Sequence, residues 1–370
     1  MIQDLRFGMR MLCKSPGFTL VAVLTLALGI GANTAVFSVF NSAVVKPLPY
    51  PEADRLVNVW EMRPNGGRNG VSGGAFKDWR AQSAKFSHLA LIKDVRLNLT
   101  GTRGPEHVPG LQVSTEFLSA LGVTPMLGRG FVANEDAIGG NNRVIVLAHQ
   151  FWQRRYGGDA GVIGQTVSLN QIPYTVIGVL PPGALLQDET MFLIPFIIDV
   201  DSDTVKWSRG YHCCGVIGRV AQGATMAEAQ AELRDVKQRL AAEYPSYKKD
   251  WSVSVAPLHE DLTGDIRPTL KVLLATVGLV LLIACANVSN LLLARGNARA
   301  REMAIRAALG AHSRRIIRQL LSESLLLALM GCGAGLLLGA FGVKLLTNMV
   351  TGLIPQALHP ELDLNVLAFS

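Results

Sequence analysis

Ser15-Pro-Gly-Phe-Thr-Leu-Val-Ala-Val-Leu-Thr-Leu-Ala-Leu-Gly-Ile-Gly-Ala-Asn-Thr-Ala-Val-Phe-Ser-Val-Phe-Asn-Ser-Ala-Val-Val45 is a run of 31 residues without one Lys, Arg, Asp or Glu. A helix needs about 20 apolar residues to cross a hydrocarbon core of about 30 Å. Two more uncharged gaps follow, 23 residues between Lys271 and Arg295 and 20 between Glu323 and Lys344. Together they predict transmembrane helices over 18–42, 270–294 and 319–343. They also account for a charged fraction of 17% across 370 residues, against about 25% in soluble domains. A soluble enzyme is excluded as the whole molecule, and so is a disordered chain. The first run exceeds the roughly 7–15 apolar residues of a signal peptide and has no Ala-x-Ala site before Lys46-Pro47, so it reads as a retained span.

The net charge of +7 invites a nucleic-acid partner, and its distribution rejects one. Residues 1–14 carry Arg6, Arg10 and Lys14 against Asp4, and 295–318 carry seven Arg against Glu302. The long stretch 46–268 balances 23 basic against 23 acidic residues. Basic excess confined to short segments beside spans marks cytoplasmic loops, whereas a nucleic-acid surface spreads it over a folded domain. The N-terminus is therefore expected in the cytoplasm, with the large middle stretch on the far side of the membrane.

Around the spans, residues 1–17 form a basic amphipathic lead-in, with Leu5, Met9 and Leu12 on one face and Arg6 and Arg10 on another. Residues 46–265 read as an α+β outer domain. Its strand signals are Arg143–Leu147, Gln165–Leu169 and Tyr174–Leu180 about a turn at Asn170-Gln171, and Trp251–Val255. Its clearest helix starts at Thr225, where Thr225 and Glu228 form a capping box. From there Ala229, Leu233, Val236 and Leu240 line one face, and Pro245 ends the helix. Phe76–Phe86 and Thr115–Leu121 are expected to be short helices, and 64–74 and 137–142 loops. Strand-rich sequence flanked by helix-plus-strand units places an inserted subdomain at 126–206, leaving 46–125 and 207–265 as one body. Residues 344–370 lead toward another apolar run at Leu367-Ala-Phe-Ser370, which reads as truncation before a fourth span.

No catalytic or metal-binding constellation is legible. His88, His107, His149, His212 and His259 lack zinc spacing and read as surface or capping residues. Gly70-Val-Ser-Gly-Gly74 has the letters of a nucleophile elbow, but that device needs a strand before Ser72 and a helix directly after it. The preceding Pro64-Asn-Gly-Gly-Arg-Asn69 is made of turn formers, so a flexible loop is expected. Asp199, Asp201 and Asp203 lack the Gly and Glu of a calcium loop, and no phosphate-binding P-loop is present. No cofactor is expected. Five cysteines are too few and too scattered for a disulfide framework. Adjacent Cys213 and Cys214 would pair only with strain and read as small buried residues.

Two patterns carry more. On span three, Gly331, Gly335 and Gly339 repeat every four residues, and Ala27, Gly31 and Ala35 do the same on span one. Such small-residue ridges let helices approach closely. Between spans two and three, the cytoplasmic loop 295–318 predicts a short basic helix over 297–312. In it Glu302 and Arg306 are spaced i,i+4 for an ion pair, Ile305 lies on another face, and Gly310 suits a C-cap. Physics leaves open whether it docks on a cytoplasmic partner or anchors to anionic membrane lipid.

The run Arg301-Glu-Met-Ala-Ile-Arg-Ala-Ala-Leu-Gly-Ala311, with Gln319 and Glu323 beyond it, resembles the permease segment of the MacB/FtsX/LolC superfamily. Leu24-Thr-Leu-Ala-Leu-Gly-Ile-Gly-Ala-Asn-Thr-Ala35, Lys46-Pro-Leu-Pro-Tyr-Pro51 and Ser114-Thr-Glu-Phe-Leu-Ser-Ala-Leu-Gly-Val-Thr-Pro-Met-Leu-Gly-Arg129 resemble it too. They look most like the MacB-like acidobacterial duplicated orphan permeases. The resemblance implies an α-helical membrane protein of the bacterial inner membrane with a large α+β periplasmic core domain, here with three of four spans. It implies a permease subunit of an ABC transporter, not itself an enzyme, that transmits ATP-driven motion from a separate ATPase. Arg301, Glu302, Ile305, Arg306 and Gly310 would form the ATPase contact. A second permease half or a homodimer partner, and a periplasmic adaptor, are further implied partners. The alternative is a non-translocating FtsX-like scaffold or signal relay that regulates a periplasmic protein.

Overall fold

The computed structural model describes residues 9–100, 106–187, 189–197, 211–243, 250–264, 266–298, 313–350 and 366. Among these the chain forms two compact units, one of residues up to Lys46 and from Gly264 onward, the other of Pro47–Thr263. The first begins with a short helical stretch at 9–13 and then α1 (Pro16–Phe40). Pro16 stands at the start of α1, where a missing N–H costs nothing. The helix continues into a π-helical turn, Asn41–Val45.

The second unit runs β1 (Leu56–Met62), β2 (Arg68–Asn69), β3 (Val71–Ser72), α2 (Gly73–Gln82), β4 (Phe86–Thr100), β5 (Glu106–Val113), α3 (Phe117–Leu121), β6 (Leu127–Gly128), β7 (Val144–Leu147) and α4 (His149–Tyr156). It then adds β8 (Thr166–Leu169), β9 (Ile172–Val179), β10 (Phe192–Pro195), β11 (His212–Val220), α5 (Met226–Glu243), β12 (Ser252–Pro257) and α6 (Leu258–Thr263). The strands follow one another in space as β12-β1-β11-β4-β5-β10-β7-β9-β6, with β8 bridging β4 and β9. β1 pairs antiparallel with both β11 and β12, while β5–β10 and β7–β9 are parallel.

Among the described residues, two cores are seen in this unit. One lies between β1, β11, β12 and helices α2 and α5, around Phe76, Trp79, Val216 and Leu233. The other gathers β7, β9, β10 and α4 around Ile145, Phe151, Val176 and Phe192. β4 is 15 residues long and serves both, giving Leu89 and Leu91 to the first and Leu99 to the second. The β8–β9 turn has Asn170 and Gln171 at positive φ, 49° and 66°, the backbone that a two-residue hairpin requires. The capping box forms too, with Glu228 accepting from the Thr225 N–H at 2.8 Å and Thr225 Oγ1 accepting from the Glu228 N–H at 3.2 Å.

The sequence expectation fails around Ser72. Residues 64–74 are not one loop, because Arg68–Asn69 and Val71–Ser72 are strands and α2 begins at Gly73. The expected helix over 76–86 is α2, three residues earlier at its start and finished by Gln82, and Phe86 already belongs to β4. The Ser72 hydroxyl sets this start by accepting the Ala75 N–H at 3.2 Å, the N-cap interaction of a helix first turn.

The membrane unit is completed by α7 (Arg267–Ala298) and α8 (Ser313–Val350). With α1 extended by its π-helical turn, these are three helices long and apolar enough to cross a membrane. Both α7 and α8 outrun the uncharged gaps, because Arg295 and Arg318 continue the helices. α1 packs against both α7 and α8 and is the most buried of the three.

Candidate functional site

The seam between α1 and α8 is built from backbone. A β-carbon placed on Gly331 would lie 2.7 Å from Leu26 Cβ, on Gly335 2.8 Å from Ile30 Cβ, and on Gly339 2.9 Å from Thr34 Cβ. In return, one on Gly31 would lie 3.0 Å from the Gly335 carbonyl oxygen. The three glycines singled out on span three thus face one row of span one. At Gly333, between two of them, nothing lies within 4 Å.

The opposite side of α1 meets α7 differently. A β-carbon on Gly29 would touch Leu281 and Ala284 at 3.0 and 3.3 Å. One turn on, the buried Asn33 side chain donates to the Val277 carbonyl of α7 at 2.8 Å. At the other end of the bundle, Arg295 of α7 donates to the Met11 carbonyl at 3.0 Å and to Ser15 Oγ at 2.6 Å, and its guanidinium stacks over Phe18. The basic lead-in is thereby tied to the last turn of α7. The five coupling residues, Arg301, Glu302, Ile305, Arg306 and Gly310, lie outside the described residues.

In the outer unit the segment that follows α1 and the segment that precedes α7 are each fixed to the β1–β11 pair. Arg219 of β11, almost fully buried, donates Nε to the Ala120 carbonyl at 2.8 Å and Nη1 to the Pro51 carbonyl at 2.8 Å. Burial, and then Arg55 nearby, pull this guanidinium down from its ordinary pKa. Arg55 itself donates Nε to the Val220 carbonyl at 2.9 Å. On the return path, Asp261 of α6 accepts from Asn58 Nδ2 at 2.8 Å, Trp60 Nε1 at 3.1 Å and Arg68 Nη1 at 2.6 Å. Charge-assisted bonds of this kind are about twice as strong as neutral ones.

A third cluster ties the same strands to the helical layer. Glu61 of β1, 1% exposed, accepts from Lys237 Nζ of α5 on one carboxylate oxygen, and its other oxygen lies against His212 Nδ1 of β11, each pair 2.5 Å apart. The His212 ring also lies against Trp251, 4.7 Å between centroids. His212 is therefore a half-buried neighbour of a buried carboxylate and not the surface or capping residue expected. A strand before it and a helix after it give Ser72 the setting of an elbow, but the side chain is wholly buried and occupied as a cap. It cannot meet a substrate. Asp199, Asp201 and Asp203 lie outside the described residues.

None of these hubs was singled out by the sequence. Asp261 and Arg219 are ordinary letters in a charge-balanced stretch, and their partners are 99 to 203 residues away.

The chain matches the model of the MacB-like periplasmic core domain over residues 19–236 and that of the FtsX-like permease C-terminal domain over 274–366. It is 27% identical over 248 residues to the pyoverdine export ATP-binding/permease protein PvdT of Pseudomonas syringae pv. tomato, an alignment covering 60% of this chain and 37% of that protein. It is 27% identical over 236 residues to the macrolide export ATP-binding/permease protein MacB of Bdellovibrio bacteriovorus, covering 62% and 35%. The chain spans little more than a third of the length of these curated relatives. Among solved structures, the periplasmic region of MacB from Actinobacillus actinomycetemcomitans matches with a TM-score of 0.43 and 13% identity, covering 58% of this chain and 93% of that one.

Proposed function

The chain belongs to the family with the MacB-like periplasmic core domain, among the ABC transporter permeases, and from that premise we propose that it transmits ATP-driven motion from a cytoplasmic ATPase to the outer domain. Its N-terminus and the segment between spans two and three lie on the cytoplasmic side of the bacterial inner membrane, a reading that the basic excess there supports. The outer unit is periplasmic. Arg301, Glu302, Ile305, Arg306 and Gly310 form the contact with the ATPase subunit, which binds and hydrolyses the ATP. The permease works beside a second permease half or a second copy of itself, and a periplasmic adaptor meets the outer unit.

The observation that supports this reading is the pair of clamps on neighbouring strands. Arg219 holds the segment just after span one, and Asp261 holds the segment just before span two. On this reading a displacement of either span is passed to the β1–β11 pair through those two segments. ATP-bound and ATP-free states of the partner need differ in their contact with the loop by only a few kcal/mol to shift such an equilibrium.

The experiment is a detergent pull-down of the full chain against the ATPase subunits of its host. Stable capture of one ATPase, lost when Glu302→Arg and Arg306→Glu are combined, is the expected result. Capture of no ATPase, or capture and transport unaffected by the double exchange, overturns the coupling assignment.

A further inference from the structure

Successive side chains of a β-strand point to opposite faces, which should keep neighbouring cysteines apart. β11 departs from this rule at its first residues. Its register against β3 slips between His212, opposite Ser72, and Cys214, opposite Val71. The bulge leaves Cys213 as the extra residue, and its Sγ comes to 2.8 Å from Sγ of Cys214. Both thiols are free. Cys214 is buried in the first core, whereas Cys213 packs at the edge of that core and is half-buried.

The two sulfurs are also electrostatically unequal. The hydrogen bond from Cys214, and after it the charge of Lys93, draw the Cys213 thiol below its ordinary range against the effect of burial. The hydrogen bond to Cys213 and burial push Cys214 up. One sulfur is poised as the nucleophile, since the thiolate is the reactive and ligating form, and the other stands beside it with its proton.

We propose that Cys213 and Cys214 form a bidentate dithiol site that captures a thiophilic trivalent arsenical. With phenylarsine oxide, each sulfur forms one As–S bond and the arsenic–oxygen bond breaks. The two thiol protons leave on that oxygen as water. Arsenic stays trivalent, so the step needs no oxidant. The second As–S bond closes within one molecule, and this intramolecular advantage lets the pair outcompete monothiols. Soft thiolates are the ligands such a centre prefers. The site lies on the strand that carries Arg219, so its occupant sits on the element that holds the segment after span one.

The test uses the full chain in detergent with Cys13, Cys285 and Cys332 replaced by Ala, which leaves this pair alone. After reduction, one equivalent of phenylarsine oxide is added in excess 2-mercaptoethanol and the intact mass is read. The expected result is a single adduct that blocks two alkylations by iodoacetamide when the chain is afterwards unfolded in denaturant, and that is released by 2,3-dimercaptopropanol. Cys213→Ser, at the edge of the core, should abolish capture while the melting curve stays unchanged. Cys214→Ala should do the same in a second background. No adduct that survives the monothiol, or an adduct that persists in either single variant, overturns the proposal.

Discussion

Gly31 and Gly335 face each other across the α1–α8 seam so closely that a β-carbon on Gly31 would stand 3.0 Å from the Gly335 carbonyl oxygen. In a bilayer the surrounding lipid is as apolar as the helices, so association rests on close packing and interhelical hydrogen bonds. The seam therefore depends on the absence of side chains at these positions.

Gly335→Ala would set a methyl 2.8 Å from Ile30 Cβ and force the helices apart. Overpacking of this kind costs about 1–3 kcal/mol. Thermal unfolding in detergent should show a lowered midpoint for Gly335→Ala and none for Gly333→Ala, whose new methyl meets open space. Equal effects of the two would mean that helix propensity and not the seam governs the change.

Asn33 holds the other side of α1. Asn33→Leu removes the bond to the Val277 carbonyl, and interhelical hydrogen bonds in membranes contribute about 0.6 kcal/mol on average. A modest loss in the same unfolding assay is expected, additive with Gly335→Ala because the two sites lie on opposite sides of the helix. A loss much larger than the average would mark Asn33 as more than packing.

The spans were legible because charge is excluded from hydrocarbon, so a gap between Lys14 and Lys46 has one reading. The hairpin at Asn170-Gln171 and the Thr225 cap were legible because their signals are local. The clamps were not. Asp261 meets Asn58 and Trp60 only after some 200 residues of chain have folded, and nothing local distinguishes it from Glu260 beside it. The same holds for Glu61, whose partners Lys237 and His212 come from different elements. At Ser72 the turn-forming letters before it suggested a loop, yet pairing of β3 with β11 overrode that preference. Strict alternation likewise predicts Cys213 and Cys214 on opposite faces, and a one-residue bulge brings them together.

Acid should weaken the start of α5 in a defined way. The Thr225 backbone N–H, and then its hydroxyl, hold the Glu228 carboxylate below its usual range, with Lys85 adding to them. A depressed folded-state value gives stabilisation that is complete above the unfolded value, about 4.3, and is lost as pH falls through the folded one. Glu228→Gln should therefore be less stable than the parent chain at neutral pH, with the difference closing in acid. A difference independent of pH would assign the effect to something other than this carboxylate.

Asp261→Ala separates coupling from assembly. Removing the carboxylate leaves the half-buried Trp60 indole N–H and Asn58 amide without their acceptor, each at less than the about 1–3 kcal/mol of a fully buried group left unpaired. The segment before α7 then loses its hold on β1, while the residues between α7 and α8 are untouched. If the clamp carries motion, the variant should still capture its ATPase in the pull-down. It should also lose the ATP-dependent change in hydrogen exchange expected in β1 and β11 of the parent complex. Arg68→Ala, which removes only the exposed arm of the same carboxylate, should keep most of that change. Nucleotide-dependent exchange that persists in Asp261→Ala would mean that motion reaches the outer unit through the Arg219 side alone, and Arg219→Met would then be the variant that abolishes it.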